Sequence, residues 1–332
     1  MLTPKENLLN MYHNKPTQYV PSPFLDQKGF GIFDPMEKGD HDKGGYDGFG
    51  VRWIRHISAG GAPIPAQGGC VLKDITKWKQ QVTFPDVDAV DWAANAERET
   101  APFDHDKFVF DFSNGGGVFE RLGALMGFEN SLIAIAEEPE AVNDLFEAIT
   151  DFKLKYLEKV IKYYKPDTYT YFDDVATEHG MFISPHVYRT LVKPHHKRFF
   201  EAVKSYGVLP IYHLCGKGEA LIDDIIEAGA IGWSSLQPTN DIVALLKIYG
   251  NRFSFIGGYD TTGIPGRPDQ DLEIYYKEVR RCIEVYGPYQ GYAFAGYILK
   301  STLDPTEMLA GFMPMIEEMG RIRQEQLLSL KA

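Results

Sequence analysis

From residue 107 onward, apolar β-prone runs alternate with longer runs of helical periodicity, in units of about thirty residues. The strand-like runs are KFVFDFSN, DTYTYFDD, VLPIYHLCG, AIGWSSLQ, RFSFIGGYD and GYAFAGYIL. Between them lie GVFERLGALMGF and PEAVNDLFEAITDFKLKYLEKVIKYY, then SPHVYRTLVKPHHKRFFEAVKSYG, EALIDDIIEAG, DIVALLKIYG and DLEIYYKEVRRCIEVYG, all helical in pattern. Such alternation constrains the fold strongly, because parallel strands need a crossover that covers one face of the sheet. A further strand near YVPSPFL brings the count close to eight. The economical closure is a (β/α)8 TIM barrel, with a doubly wound open sheet as second choice.

The N-terminal part reads differently. Thr3–Pro4–Lys5–Glu6 is a helix start, with Thr as N-cap, Pro at the first helical position and Glu three on. Residues 25–105 are rich in Gly, Pro, Asp and Trp and show little helical periodicity. They are expected to form a hairpin-bearing, loop-rich insertion at the barrel mouth, within a single domain spanning 1–332. The closing helical part, from DPTEMLAGF to the C-terminus, is expected to break near Pro314.

Composition narrows the partners. A formal charge of −12 gives no basic footprint for nucleic acid. Three cysteines, Cys70, Cys215 and Cys282, are too few and too scattered for a disulfide framework. No run approaches the ~18 apolar residues of a membrane span, and MLTPKENLLNMYH lacks the apolar core of a secretion signal. The expectation is a cytoplasmic protein.

A barrel puts its chemistry at the C-terminal strand ends. Residues there are Ser113 and Asn114, Asp173 and Asp174, His213 and Cys215, Ser235 and Gln237, Tyr259 and Asp260, and Tyr297. His213 and Cys215, two apart on a strand, share a face, which suits two ligands on one ion and equally two core side chains. Of Asp173 and Asp174 at most one enters a pocket, and the other caps a loop or helix. Glu219 falls in the first turn of the following helix, where it meets the dipole or reaches a metal. His195 and His196 read as a basic helix face and Cys282 as core. No phosphate loop, dinucleotide fingerprint or serine elbow occurs.

YFDDVATEHGMFISPHVYRTLVKPHHKRFFEAVKSYG, YHLCG, IIEAGAIGWSSLQP, FIGGYD and GYILKSTLDPTEM follow one another in this order. Together they resemble the uroporphyrinogen decarboxylase superfamily, and especially its corrinoid-dependent methyltransferase branch, over roughly residues 105–315. The O-demethylating members are the better match. The resemblance implies a β/α barrel that transfers a methyl group from a methoxylated aromatic or related small donor to cobalamin. No Asp-x-His-x-x-Gly signature occurs, so the cobalamin would arrive on a separate corrinoid protein.

It further implies a zinc ion on His213, Cys215 and a later cysteine, yet Ala293, Ala295 and Gly296 stand where that cysteine is expected. Either a carboxylate, Asp174 or Glu219, completes the site, or no stable metal is bound. The implied roles are catalytic for Asp174, His213 and Tyr297, substrate-binding for Asp173, Gln237, Tyr259 and Asp260, and metal-binding for His213, Cys215 and Glu219. A decarboxylase is the enzymatic alternative, although QYVPSPFLDQKGFGIFDP offers no arginine for a polycarboxylate porphyrinogen. A ligand-binding barrel that has lost the chemistry is the other.

Overall fold

The computed structural model describes residues 1–31, 36–39, 44–57, 62–298, 300 and 302–330. Parts of the 25–105 segment and of GYILKSTLDPTEM therefore lie outside the described residues. Strand β1 (Gln27–Phe30) precedes a small antiparallel sheet of β2 (Gly45–Tyr46), β3 (Arg52–Arg55) and β4 (Pro63–Pro65). Then come β5 (Val109–Asn114), β6 (Thr168–Phe172), the antiparallel pair β7 (Ala176–Thr177) and β8 (Gly180–Met181), β9 (Leu209–His213), β10 (Gly232–Leu236), β11 (Ser254–Gly258) and β12 (Tyr292–Ala295). Among the described residues the main sheet holds seven parallel strands in the order β1-β5-β6-β9-β10-β11-β12. Successive strands are neighbours and helices fill the crossovers, giving an α/β fold with a curled parallel sheet.

The expectation of eight strands is corrected. YVPSPFL contributes none, and the first strand starts at Gln27. Pro21 and Pro23 lack the N–H groups a ladder needs, and Pro23–Asp26 turns into a helical segment. Between β12 and this segment, the Phe294 N–H donates to the Pro21 carbonyl at 2.9 Å. Nor is 25–105 free of helix: Trp92–Thr100 is helical, with the Asp91 carboxylate accepting from the Ala94 N–H.

Side-chain parity within the strands sets the inside and the outside. In β6, Tyr169 and Tyr171 face the helix Lys193–Ser205, with ring centroids 5.2 and 4.7 Å from Phe199. Thr168 and Thr170 face inward and donate to Asp111 of β5. At the N-terminal end of the sheet, the helix Pro4–Tyr12 carries its predicted capping box and packs Leu8, Met11 and Tyr12 on Val109, Ile211, Ile256 and Ala293. That helix closes the bottom of the sheet interior.

A buried charge network ties the N-terminal segment to the other end. Arg121 pairs with Glu37 and Asp47 and stacks 4.2 Å from the Phe49 ring. Lys153 pairs with Glu37 and donates to Asn114 and to the Gly115 carbonyl. Two cations and two carboxylates thus balance in a buried cluster, which holds the loop after β5 in place. The helix expected over 184–207 is interrupted by a π-helical turn at Tyr188–Val192, before Pro194 removes a backbone donor.

Candidate active site

Two strands deliver chemically active side chains to the C-terminal edge of the sheet. Asp174 follows β6, His213 ends β9, and Cys215 lies two residues beyond it. One ligand-type atom from each lies within 4.8 Å of the others. The Cys215 N–H donates to Asp174 Oδ1 at 2.7 Å, and Cys215 Sγ sits 3.5 Å from His213 Nε2. His213 Nδ1 contacts the Ser234 hydroxyl at 3.0 Å, and its ring stacks on Phe172 with centroids 3.8 Å apart. Engagement of Nδ1 by Ser234 leaves Nε2 turned toward the thiol.

The environment is short of charge compensation. Burial, reinforced by the Glu120 carboxylate, raises the Asp174 carboxyl to about 7. Burial, with the Lys38 ammonium nearby, lowers His213 to about 3, so the imidazole is neutral. Burial and then the Asp174 charge push the Cys215 thiol well up. Each shift opposes charge at a buried site; a bound dication would bring the Asp174 and Cys215 values down and would take the neutral imidazole as it stands.

Strand β10 contributes a bulge. Its register with β11 slips between Ser234 and Leu236, and Ser235 adopts φ +64°, rare for a residue with a Cβ. The bulge sets the Ser235 hydroxyl 3.2 Å from Cys215 Sγ. Gly257 of β11 accommodates it, since a Cβ there would lie 2.3 Å from the Leu236 carbonyl oxygen. Backbone strain of this kind clusters at functional sites.

Two cavities meet the cluster. The inner one, about 270 Å³, lies within the sheet; His213, Ser234, Ser235 and Gln237 line its polar side, and Phe172, Tyr259, Tyr297 and Phe312 its aromatic side. Tyr12 and Asp111 also line it. The other, about 460 Å³, runs past Trp53, Phe119 and Phe128 and touches Lys38, Glu120 and Asp174.

The sequence profile of the uroporphyrinogen decarboxylase (URO-D) family matches residues 111–301, more than half of the chain. The chain belongs to the uroporphyrinogen decarboxylase family. No curated protein gives a significant sequence match. A methyltransferase from Methanosarcina mazei aligns over 98% of this chain and 99% of its own, with a TM-score of 0.64 and 15% identity, which shows a shared fold. A xylose isomerase domain protein from Alicyclobacillus acidocaldarius aligns over 74% of this chain and 94% of its own at 13% identity, and its TM-score of 0.34 carries no argument.

Within this family member, the remaining predicted residues divide. Gln237 lines the inner cavity; its Oε1 accepts from the Gly216 N–H at 2.8 Å and its amide donates to Thr261 at 3.2 Å. Tyr297 lines it too, its hydroxyl raised to about 12 chiefly by burial. Tyr259 forms part of the wall, but its hydroxyl already donates to the Pro265 carbonyl at 2.8 Å.

Three assignments are corrected. Asp173 does not meet the pocket: it is fully buried and accepts from the Phe119 and Glu120 N–H groups at the start of helix Val118–Met126 and from His196 Nε2. Asp260 folds back on its own loop, accepting from the Thr262 and Gly263 N–H groups. Glu219 is outside the metal cluster; its carboxylate accepts from the Asp241 N–H at 2.8 Å, next to the following helix. His195 and His196, expected on an exposed basic face, are buried because their helix packs that face on the sheet and on the long helix Pro139–Tyr164.

Reading the strand ends alone missed Asp111, Glu120 and Lys38. Asp111 shares the inward parity of Ser113 two residues later, which is the one signal that places it inside. Glu120 depends on a helix N-terminus, and Lys38 on a segment folded over Gly115.

The donor set of Asp174, His213 and Cys215 fits zinc. Bonds of about 2.0–2.3 Å to a tetrahedral ion separate ligand atoms by about 3.3–3.8 Å, within reach of small side-chain rotations here. Asp174 would be the third ligand of such an ion, and Ala295 and Gly296 line the inner cavity.

Proposed function

We propose that this chain transfers a methyl group from a small donor, a methoxylated aromatic or a related compound, to the cobalt of a separate corrinoid protein. One observation carries the reading: a His–Cys–Asp cluster whose His213 lines a small cavity walled by aromatic rings. When bound there by Asp174, His213 and Cys215, zinc would supply Lewis acidity to the oxygen that leaves as the methyl group departs.

The chain's own side chains do the rest. Tyr297 keeps its proton at neutral pH and donates a hydrogen bond to that oxygen. Phe172 and Phe312 flank an aryl ring, and Gln237 orients polar substituents. The other cavity, reaching Asp174 from outside, leaves room for the partner's cobalt to approach. The printed name of the Methanosarcina mazei protein, a methyltransferase, supports the same reading.

Size and charge argue against a porphyrinogen. About 270 Å³ falls just below the roughly 300–1,000 Å³ of drug-sized pockets, and among the described residues neither arginine nor lysine lines the inner cavity. The test mixes purified chain, a reduced corrinoid protein and a panel of methoxylated aromatics and other methyl donors. Loss of the Co(I) absorbance is expected, slowed strongly by His213→Ala and by Asp174→Asn. Decarboxylation of an added substrate by the chain alone, without any change in the corrinoid spectrum, would sink the proposal.

A further inference from the structure

The floor of the inner cavity holds a group that methyl transfer does not use. Asp111 is 2% exposed and lines the cavity. Its Oδ1 accepts from the Thr168 and Thr170 hydroxyls at 2.7 and 2.8 Å, and its Oδ2 from Ser113 at 2.7 Å. Among the described residues no cationic side chain contributes to its surroundings. A carboxylate has about four acceptor positions, so these three bonds leave one on Oδ2 for a ligand. Tyr12, from the helix that closes the floor, lines the same end.

This is an unusual place for an acid. Burial without a counter-charge is costly, and hydroxyl donors offset only part of that cost. A ligand that brings the missing positive charge recovers it, and the aromatic wall attracts a cation further. A carboxylate-bearing ligand would be repelled.

The floor and the metal-type cluster stand at opposite ends of the cavity. Asp111 pairs with Thr168 and His213 with Phe172, four residues further along β6. At a rise of about 3.3 Å per residue that is roughly 13 Å between backbones, which the inward-reaching side chains shorten. A ligand bridging them has one distinct group at each end.

We propose that Asp111 is the specificity-determining residue of this cavity and that it binds an ammonium head group at the end of the donor remote from the reacting methyl. The class of ligand is a small methyl donor carrying a primary or secondary amine. The inference rests on the methyl-transfer reading only for which end reacts; amine recognition itself stands apart from turnover.

The experiment is direct calorimetric binding of 4-methoxybenzylamine, 4-methoxybenzyl alcohol and 4-methoxytoluene to the full chain. In these probes the methyl ether and the variable head lie at opposite ends of one ring. The amine is expected to bind at least tenfold more tightly than either neutral probe. Asp111→Asn should erase that preference while changing neutral-probe affinity less than about twofold. Should the variant fold poorly, the wild-type comparison decides alone. Equal binding of amine and neutral probes, or a preference that survives in Asp111→Asn, overturns the proposal. Amine preference without methyl transfer to any corrinoid protein would count against the functional reading only. Transfer from neutral ethers without amine preference would count against this one only.

Discussion

Replacing Asp173 by alanine tests whether the fold holds the site in the way argued above. The side chain is fully buried and satisfies three donors: Phe119 N–H at 3.2 Å, Glu120 N–H at 2.8 Å and His196 Nε2 at 2.8 Å. Its removal orphans two donors at a helix N-terminus and an imidazole N–H. Each unsatisfied buried group costs about 1–3 kcal/mol, and loss of a cap about 0.5–2 kcal/mol. Relaxation prevents full addition, so the expected loss is about 3–5 kcal/mol, the range for breaking a buried pair from one side. Equilibrium urea unfolding near pH 7.5 measures it. A paired variant, His196→Phe, replaces the ring among Tyr171, Tyr188, Phe200 and Tyr212, and the double variant should lose much less than the sum. Gly117→Ala is an independent probe, because a Cβ there would lie 2.3 Å from Asp173 Cβ and Cγ. A loss below about 1 kcal/mol for Asp173→Ala, or strict additivity with His196→Phe, would refute the reasoning.

Other outcomes follow from the same geometry. Zinc titration should show Asp174→Asn lowering affinity by at least about tenfold, since it removes a proposed ligand, whereas Glu219→Ala leaves it unchanged. Burial lowers His195 to about 4 against about 6.5 in the unfolded chain, so the unfolded state takes up the proton first. Its contribution to stability is complete above about pH 6.5 and is lost as pH falls toward about 4, by up to about 3 kcal/mol, and His195→Gln should flatten that part of the urea-unfolding profile. Tyr297→Phe should reduce the transfer rate with little change in donor affinity, measured as kcat against KM, while Tyr259→Phe, whose hydroxyl is spent on Pro265, should change neither by more than about twofold.

The alternation of strand and helix periods was enough to predict a parallel sheet wrapped by helices, because each β-prone run such as TYTYF can bury both faces only inside such a layer. The Thr3–Glu6 capping box was legible for the same reason: it is local chemistry. Spacing alone put His213 and Cys215 on one strand face, whereas β9 ends at His213 and Cys215 comes to 3.5 Å from it in the turn that follows. Where partners lie far apart in the chain, spacing is silent. Whether Asp173 or Asp174 turns to the cavity was decided by the start of helix Val118–Met126, whose N–H groups claim Asp173. Glu219 was lost to the Asp241 N–H, and Asp260 to its own turn. The seam at Pro21, the Ser235 bulge and the lone acid at position 111 became visible only once β1, β5, β6 and β10 stood beside their neighbours. Local periodicity specifies which residues are strand or helix; the competition of distant donors for each carboxylate, in a dry interior where every polar group must find a partner, decides which of them face the chemistry.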